Sequence, residues 1–270
     1  MKTKIFLIFI ILLTITQVYA QSSSIQLKKV YFANGSCNYY VPINGSDMLK
    51  NRINQERISM MKHIFNNDDF LSWLQGKTIN NNVEGNFISD NAKSWTLAKQ
   101  KADKDCTKEM DMESCKCDFS LNAEHYYQNA NVVSISYSYN LYMCSNGTGG
   151  AVGEITHTFD KKTGGLILEN MLTQDTNNYK RLLVLAEKYF RKQYDIPNQA
   201  DINNGSNNEF NKFQFDNDKF RLPNNPHNFE FTREGLRFYY DFYEITCGAC
   251  GKPEFTIPYA ELKGVVNYID

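Results

Sequence analysis

The sequence has little net charge. Its 29 basic and 30 acidic residues leave a formal charge of −1, too little to hold nucleic acid or an anionic membrane. With 42% hydrophobic and 22% charged side chains, the composition is typical of a globular chain and excludes disorder or a fibrous repeat. We therefore expect a folded protein without a nucleic-acid partner.

Long hydrophobic runs are missing beyond the N-terminus. Lys2 and Lys4 precede an apolar run from Ile5 to Leu13, and Ala20 offers a small residue at a cleavage point, a pattern that predicts a signal peptide at residues 1–20. An uncleaved anchor is the alternative, but the run is shorter than the roughly 20 residues of a spanning helix. We expect a secreted or periplasmic chain with no transmembrane anchor after signal cleavage.

Motifs of metal, phosphate and nucleophile chemistry are also missing. No two of the four histidines have the spacing of a zinc motif; they are His63, His125, His157 and His227. No Gly-x-Ser-x-Gly elbow or phosphate-binding loop occurs, and the glycine-rich turn at Gly147 to Gly153 leads into a strand, the wrong context for a dinucleotide. The sequence predicts no catalytic residue, no metal site and no cofactor.

Cysteine is present in an odd number, seven, so at least one thiol stays unpaired even where disulfides are the default. Cys247 and Cys250 form a Cys-x-x-Cys, a spacing shared by redox motifs, zinc knuckles and loop staples. Gly251 to Pro253 resembles a turn into a strand rather than the helix of a redox motif, which favours a structural staple. A metal site could form from Cys106, Cys115 and Cys117, but no second Cys-x-x-Cys or histidine pair lies near them.

Hydrophobic periodicity predicts an α+β fold, with antiparallel sheets packed by a few amphipathic helices. Alternating patterns predict strands at 25–32, 119–127, 132–142, 154–159, 166–168, 229–231, 236–245 and 254–257. Helical spacing predicts helices from about Ser46 to Asn66, Asp90 to Cys106 and Asn177 to Gln193, and a short one after Pro258. Residues 195–228 have little periodicity and are interpreted as an extended surface connection.

The strand predicted at Leu236 to Ile245 carries aromatic rings on both faces. One face can serve the core and leave tyrosines such as Tyr239 and Tyr243 on the surface, where they suit sugars or protein partners. The alternative is that helices cover both faces.

Motifs of the C-terminal half resemble a known family. They are Gly149 to Gly153, Phe159 to Gly164, the helix after Leu172, Gly235 to Tyr240 with Tyr243 to Ile245, and Ile257 to Leu262. Their order resembles an extracytoplasmic domain of unknown function that occurs in lysozyme-sensing anti-sigma factors and beside polysaccharide deacetylase domains. Relatives usually carry a histidine after Gly-Gly-Ala, where this chain has Val152, and a plain turn in place of Cys247 to Cys250.

The resemblance covers residues 126–270 and implies two domains. A small N-terminal α/β module at 21–117 would precede a C-terminal family-like domain at 118–270. The segment from Tyr39 to Phe65 resembles the start of the smaller module that the family commonly carries. The resemblance implies a non-catalytic binding protein of the bacterial envelope that recognises a lysozyme-like protein or cell-wall glycan such as peptidoglycan. Nothing in the chain resembles the aspartate and paired histidines of the deacetylase domain.

The resemblance also suggests where binding occurs, because the glycine turn and the Cys-x-x-Cys loop approach one another in the family. Candidate binding residues are Gly149, Gly150, Ala151, Val152, Gly153, Tyr239 and Tyr243. Cys144 then becomes a candidate disulfide partner for either loop cysteine.

An unrecognised envelope hydrolase acting on glycan is the alternative function. Glycosidases use paired carboxylates, and neighbouring predicted strands or their ends carry Glu154, Asp160, Asp241 and Glu244. Acids with perturbed pKa values in a cleft would favour this reading.

Overall fold

The computed structural model describes residues 24–32, 37–65, 100, 118–142, 151–196, 213–215, 219–247 and 250–269. The predicted signal peptide, the predicted helix at 90–106 apart from Gln100, and four cysteines lie outside these residues; the cysteines are Cys106, Cys115, Cys117 and Cys144. No helix within the described segments is long and apolar enough to cross a membrane.

A five-stranded sheet forms the first layer, in the order β1-β2-β3-β4-β5. Its strands are β1 (Leu27–Phe32), β2 (Cys37–Pro42), β3 (Asp118–Gln128), β4 (Val132–Tyr142) and β5 (Ala151–Asp160). Neighbours pair antiparallel except β2 and β3, which run parallel. The hairpin predicted over residues 119–142 is confirmed.

The two faces of this sheet differ in polarity because apolar and polar residues alternate along β4. Ile135 and Tyr137 belong to a core that includes helix α1 (Asp47–Phe65). The five apolar residues that predicted this helix are all buried: Leu49, Ile53, Met60, Met61 and Ile64. Serines at alternate β4 positions lie on the opposite face and meet the second layer.

The second layer combines a three-stranded antiparallel sheet with two helices. The sheet has the order β6-β7-β8, with β6 at Phe229–Phe231, β7 at Gly235–Tyr239 and β8 at Glu254–Pro258. Helix α2 (Thr176–Gln193) begins at Asp175, whose carboxylate accepts from the N–H groups of Asn177 and Asn178 at 2.8 and 2.9 Å. Helix α3 is short, Tyr259–Leu262.

The edge strand β6 of the second sheet contacts the polar face of the first sheet. The Phe231 N–H donates to Ser134 Oγ at 3.1 Å, and the hydroxyls of Ser134 and Thr158 lie 2.7 Å apart in a hydrogen bond. Within the second sheet, a Cβ at Gly235 would lie 2.1 Å from the Ile257 carbonyl oxygen, so the approach of β7 to β8 requires glycine there. The fold is α+β with mostly antiparallel sheets, as predicted.

The buried apolar residues form two clusters. One joins α1 and the first two strands to β3, β4 and β5; the other lies around α2 and the second sheet. The buried residues of the first cluster lie at sequence positions up to Phe159, and those of the second begin at Ile167. Val132 of β4 is the exception, because it packs in the second cluster. The domain boundary placed at 117/118 therefore lies within the five-stranded sheet.

Three elements differ from the sequence expectation. The strand expected to reach Ile245 ends at Tyr239, because a turn follows in which Tyr243 has a φ of 64° and Glu244 Oε2 accepts from the Asp241 N–H at 3.0 Å. The strand expected at 166–168 is a single bridge between Leu166 and Phe159. β2 was not predicted.

The prediction that residues 195–228 form an extended surface connection is also partly wrong. Among its described residues, Phe213, Phe215 and Leu222 are 2 to 5% exposed. The two phenylalanine rings lie 4.8 and 5.5 Å from the ring of Phe190, which gives this aperiodic segment a place in the second core.

Candidate functional site

A cavity of about 670 Å³ opens where the polar face of the first sheet meets the β6–β7 hairpin. We call it the junction cavity. Its lining comes from β3, β4, β5, β6, the β6–β7 turn and β7: Glu124, His125, Tyr126, Tyr127, Ser136, Ser138, Glu154, Glu230, Thr232, Arg233, Glu234 and Arg237. The fold therefore brings together side chains that lie up to about 110 positions apart in the sequence.

A β-bulge in β3 shapes one wall of the cavity. The register against β4 shifts between Ala123 and His125, so that His125 pairs with Ser136 on the polar face. Glu124 occupies the bulge, and its carboxylate accepts a short hydrogen bond from Ser138 Oγ. The bulge thus directs an acid and a histidine toward the same space.

Arg237 of β7 lies at the centre of a carboxylate cluster. Its Nη1 donates to Glu154 at 2.6 Å and to Glu230 at 2.7 Å, and its Nη2 donates to the second oxygen of Glu154 at 3.1 Å. Glu254 accepts from Nε at 3.0 Å and also from Nη2. A guanidinium carries five N–H donors, so all five are used within the protein.

A second cation and an aromatic ring complete the cluster. Lys252 Nζ donates to Glu154 Oε2 at 2.9 Å. The ring of Tyr239 lies beneath both cations, with its centroid 4.9 Å from Arg237 Cζ and 4.4 Å from Lys252 Nζ. Tyr239 is fully buried, and burial raises the pKa of its hydroxyl.

These contacts keep Glu154 ionised. Burial raises the pKa of this carboxyl, but hydrogen bonds and charge from Arg237, with Lys252, outweigh burial and lower the pKa to about 2. Burial likewise lowers the pKa of Arg237, and the surrounding carboxylates raise it above the ordinary arginine value. Glu154 and Arg237 are therefore both charged near neutral pH.

His125 contacts the cluster through Glu230. Its Nε2 lies 3.1 Å from Glu230 Oε2, and the Glu230 side chain is 2% exposed. Three carboxylates around Arg237 and Lys252 leave one negative charge, which a protonated His125 would neutralise. The hydrogen bond to Glu230 raises the pKa of His125, against an opposing effect of burial.

The Glu230→Gln variant is expected to lower the pKa of His125, because it removes the charge that favours the imidazolium. The His125–Glu230 pair stabilises the fold fully below the pKa of histidine in the unfolded chain, and this contribution is lost as pH rises through the raised folded pKa. NMR titration of the His125 ring measures the shift. Glu234→Gln is the control, a carboxylate of the same cavity that is not bonded to His125; equal titration in both variants would contradict the assignment.

Comparison with known proteins locates a family domain in the second layer. Residues 169–260 match the model of a protein of unknown function, DUF3298. These residues are a DUF3298 domain. They supply Glu230, Arg237, Lys252 and Glu254 to the cluster, whereas Glu154 comes from the first sheet. The resemblance to a domain of unknown function is thereby confirmed; its lysozyme-sensing context stays a prediction.

Two solved structures of DUF3298 family proteins are similar to this chain. The crystal structure of a DUF3298 family member from Bacteroides fragilis NCTC 9343 has a TM-score of 0.50 and 14% identity, over 90% of this chain and 92% of that one. A DUF3298 family protein from Pseudomonas aeruginosa PAO1 has a TM-score of 0.41 and 16% identity, over 67% of this chain and 81% of that one. The first similarity supports the fold alone. No curated protein matches the chain.

The candidate binding residues whose side chains the structure describes do not line the junction cavity; they are Val152, Gly153, Tyr239 and Tyr243. Gly149 and Gly150 lie outside the described residues, as does the side chain of Ala151. Val152 is 51% exposed on β5, and Gly153 packs against a ring, since a Cβ there would lie 2.4 Å from atoms of the Tyr139 ring.

The two candidate tyrosines of the DUF3298 domain have opposite environments. Tyr239 was expected at the surface, but its ring is 0% exposed because it packs beneath Arg237 and Lys252, so it supports the cluster rather than offering a binding surface. Tyr243 is 79% exposed in the turn after β7.

The structural staple at Cys247 and Cys250 is confirmed. The two residues form a disulfide in the loop between β7 and β8, with a Cα–Cα distance of 5.2 Å. Lys252 follows two residues later, so the stapled loop leads directly into the cation that binds Glu154. No group of three or more potential metal ligands occurs within the described segments.

Of the four carboxylates proposed for a hydrolase, only Glu154 lines the cavity. Asp160 accepts from the N–H groups of Lys162 and Thr163 and shapes a turn. Glu244 binds Arg221 at 2.6 Å and orders the turn after β7. The pKa of Asp241 is raised, mainly by burial, but its side chain lies outside the lining.

The sequence reasoning missed His125, Glu230 and Arg237. One signal was available: Glu230 stands between two phenylalanines in β6, and all three residues are buried. A carboxylate in a strand covered on both faces needs a cationic partner. The same reasoning applies to Arg237, between Leu236 and Phe238.

Proposed function

We propose that the mature chain is a secreted or periplasmic, non-catalytic binding protein of the bacterial envelope, and that the junction cavity binds cell-wall glycan. The observation that carries the proposal is a concave site that combines hydroxyls, carboxylates and tyrosine rings. Its volume of about 670 Å³ falls within the roughly 300–1,000 Å³ of ligand pockets. Sugars offer many hydroxyls for such polar groups and apolar ring faces for tyrosines.

The location is inferred from two features. The first twenty residues have the pattern of a signal peptide. The Cys247–Cys250 disulfide is of a kind that persists in oxidising compartments.

Binding without catalysis agrees with the charges in the cavity. A glycosidase needs one carboxylic acid that keeps its proton and one ionised partner across the scissile bond. The pKa of Glu154 is about 2, so this side chain cannot hold a proton near neutral pH. Asp241 has a raised pKa but does not line the cavity. A hydrolase remains the alternative function, and release of reducing ends from peptidoglycan would establish it.

Calorimetry with tetra-N-acetylchitotetraose, an uncharged oligomer of the wall sugar N-acetylglucosamine that is called chitotetraose below, tests the proposal. Tyr126→Ala is expected to weaken binding about fivefold, since loss of one aromatic contact costs about 1 kcal/mol. Tyr31→Ala is the matched control, because Tyr31 is 64% exposed on β1 and does not line the cavity. Absence of heat with chitotetraose, in a sample shown to be folded, would refute glycan binding.

A lysozyme-like protein is a second candidate ligand for the same surface. Cleavage after Ala20 would leave 27 basic and 30 acidic residues, a charge of −3, and the cavity carries the exposed carboxylates of Glu124 and Glu234. Attraction to a basic protein would be modest, because salt screens it within about 8 Å. Heat with lysozyme but not with chitotetraose would select this ligand.

A further inference from the structure

Among the residues that the structure describes, the junction cavity has no deep cation that is free to bind a ligand. Arg237 is the guanidinium in its interior, and all five of its donors already bind Glu154, Glu230 or Glu254. Its side chain is only 16% exposed. An anionic ligand could reach this guanidinium only by displacing a carboxylate that would then lose its partner in a buried position.

The described residues that line the cavity carry a net negative charge. Four carboxylates face two guanidinium groups, which leaves two negative charges when His125 is neutral. Lys252 and Glu254, which join the cluster from outside the lining, cancel each other. The second guanidinium belongs to Arg233, which is exposed next to Glu234 in the β6–β7 turn.

We infer that the junction cavity selects its glycan by charge: it accepts uncharged or ammonium-bearing sugars and rejects sugars with a free carboxylate. The inference rests on the proposed glycan binding and adds the class of sugar. Glu124 and Glu234 are the exposed carboxylates that an entering ligand meets, and a ligand carboxylate near either is repelled. Ser136, Ser138 and Thr232 supply uncharged polar groups for sugar hydroxyls.

A matched pair of sugars tests the selection. The disaccharide of N-acetylglucosamine and N-acetylmuramic acid is measured by calorimetry as the free acid and as its methyl amide, which differ by one negative charge. The amide is expected to bind about tenfold more tightly than the acid at low ionic strength, as for one like charge held a few ångströms from another. The ratio should shrink as salt is raised, because these carboxylates are exposed.

Two double variants locate the origin of the selection. Glu124→Gln with Glu234→Gln is expected to reduce the affinity ratio of amide to acid toward one. Asp195→Asn with Glu261→Gln removes the same charge from exposed positions outside the lining and is expected to leave the ratio unchanged. An equal change in both double variants would assign the selection to net charge and overturn the role of the cavity.

The outcomes separate this inference from the proposed function. If chitotetraose does not bind to a folded sample, glycan binding itself is refuted. If chitotetraose binds and the acid binds as tightly as the amide, the cavity binds glycan but does not select by charge, and the inference alone is overturned.

Discussion

Replacement of Arg237 by alanine is expected to lower the free energy of unfolding by about 3–5 kcal/mol, the range for a buried ion pair that loses one partner. Glu230 and Glu154, with side chains 2% and 16% exposed, would keep their charges without the guanidinium that binds them. The same change removes the cation over Tyr239. The carboxylates of the cluster would then repel one another.

Urea denaturation of the mature chain measures this loss. Arg233→Ala is the control, because Arg233 is exposed in the adjoining turn and its replacement is expected to change stability by about 0.5 kcal/mol or less. Arg237→Lys should fall between the two, since lysine keeps the charge but cannot form the forked contacts. A loss below about 1 kcal/mol in Arg237→Ala would show that the cluster contributes little.

The pH dependence of stability should change in the same variant. The folded pKa of Glu154, about 2, lies below its ordinary value of 4.5. Its pairing therefore stabilises the native chain above the ordinary pKa, and this stabilisation is lost as pH falls through about 2. Arg237→Ala should weaken this acid dependence.

Replacement of Phe190 by alanine is expected to cost a similar amount, about 3–5 kcal/mol, by leaving a cavity in the second core. The Phe190 ring is fully buried, and its centroid lies within 6 Å of six other rings: Tyr194, Phe213, Phe215, Phe220, Tyr240 and Phe255. Thermal unfolding measures the effect. Val184→Ala, at a position 68% exposed on the same helix, should change little, and equal losses would contradict this account of the core.

Local patterns predicted most of the helices and strands that the structure describes. Helix α2 was predicted within one residue at its start, because its apolar residues form a clear stripe that ends at Phe190. The β3–β4 hairpin followed from strict alternation of polar and apolar residues. Both signals lie within the element itself, so no knowledge of its neighbours was needed.

Tertiary contacts decide what the sequence did not predict. The strand expected through Tyr243 ends early because Glu244, held by Arg221, orders a turn that periodicity does not reveal. Tyr239 looked like a surface residue by alternation, but the two cations above it depend on contacts with the other sheet.

The candidate site was predicted poorly for the same reason. Its parts are a bulge in β3, serines that alternate along β4, and an ion cluster that spans both sheets. Glu154 and Arg237 are 83 positions apart, and no spacing rule connects them. Resemblance to the family directed attention to loops near Gly153 and Cys247, and these two residues, which the structure describes, do not line the cavity.

The most direct test of the central claim is a crystal structure of the mature chain soaked with chitotetraose. The account predicts sugar density in the junction cavity, with hydroxyls within hydrogen-bond distance of Ser136 or Ser138 and a ring against Tyr126. Density at the turn near Val152 or at Tyr243, with the cavity filled only by water, would contradict it.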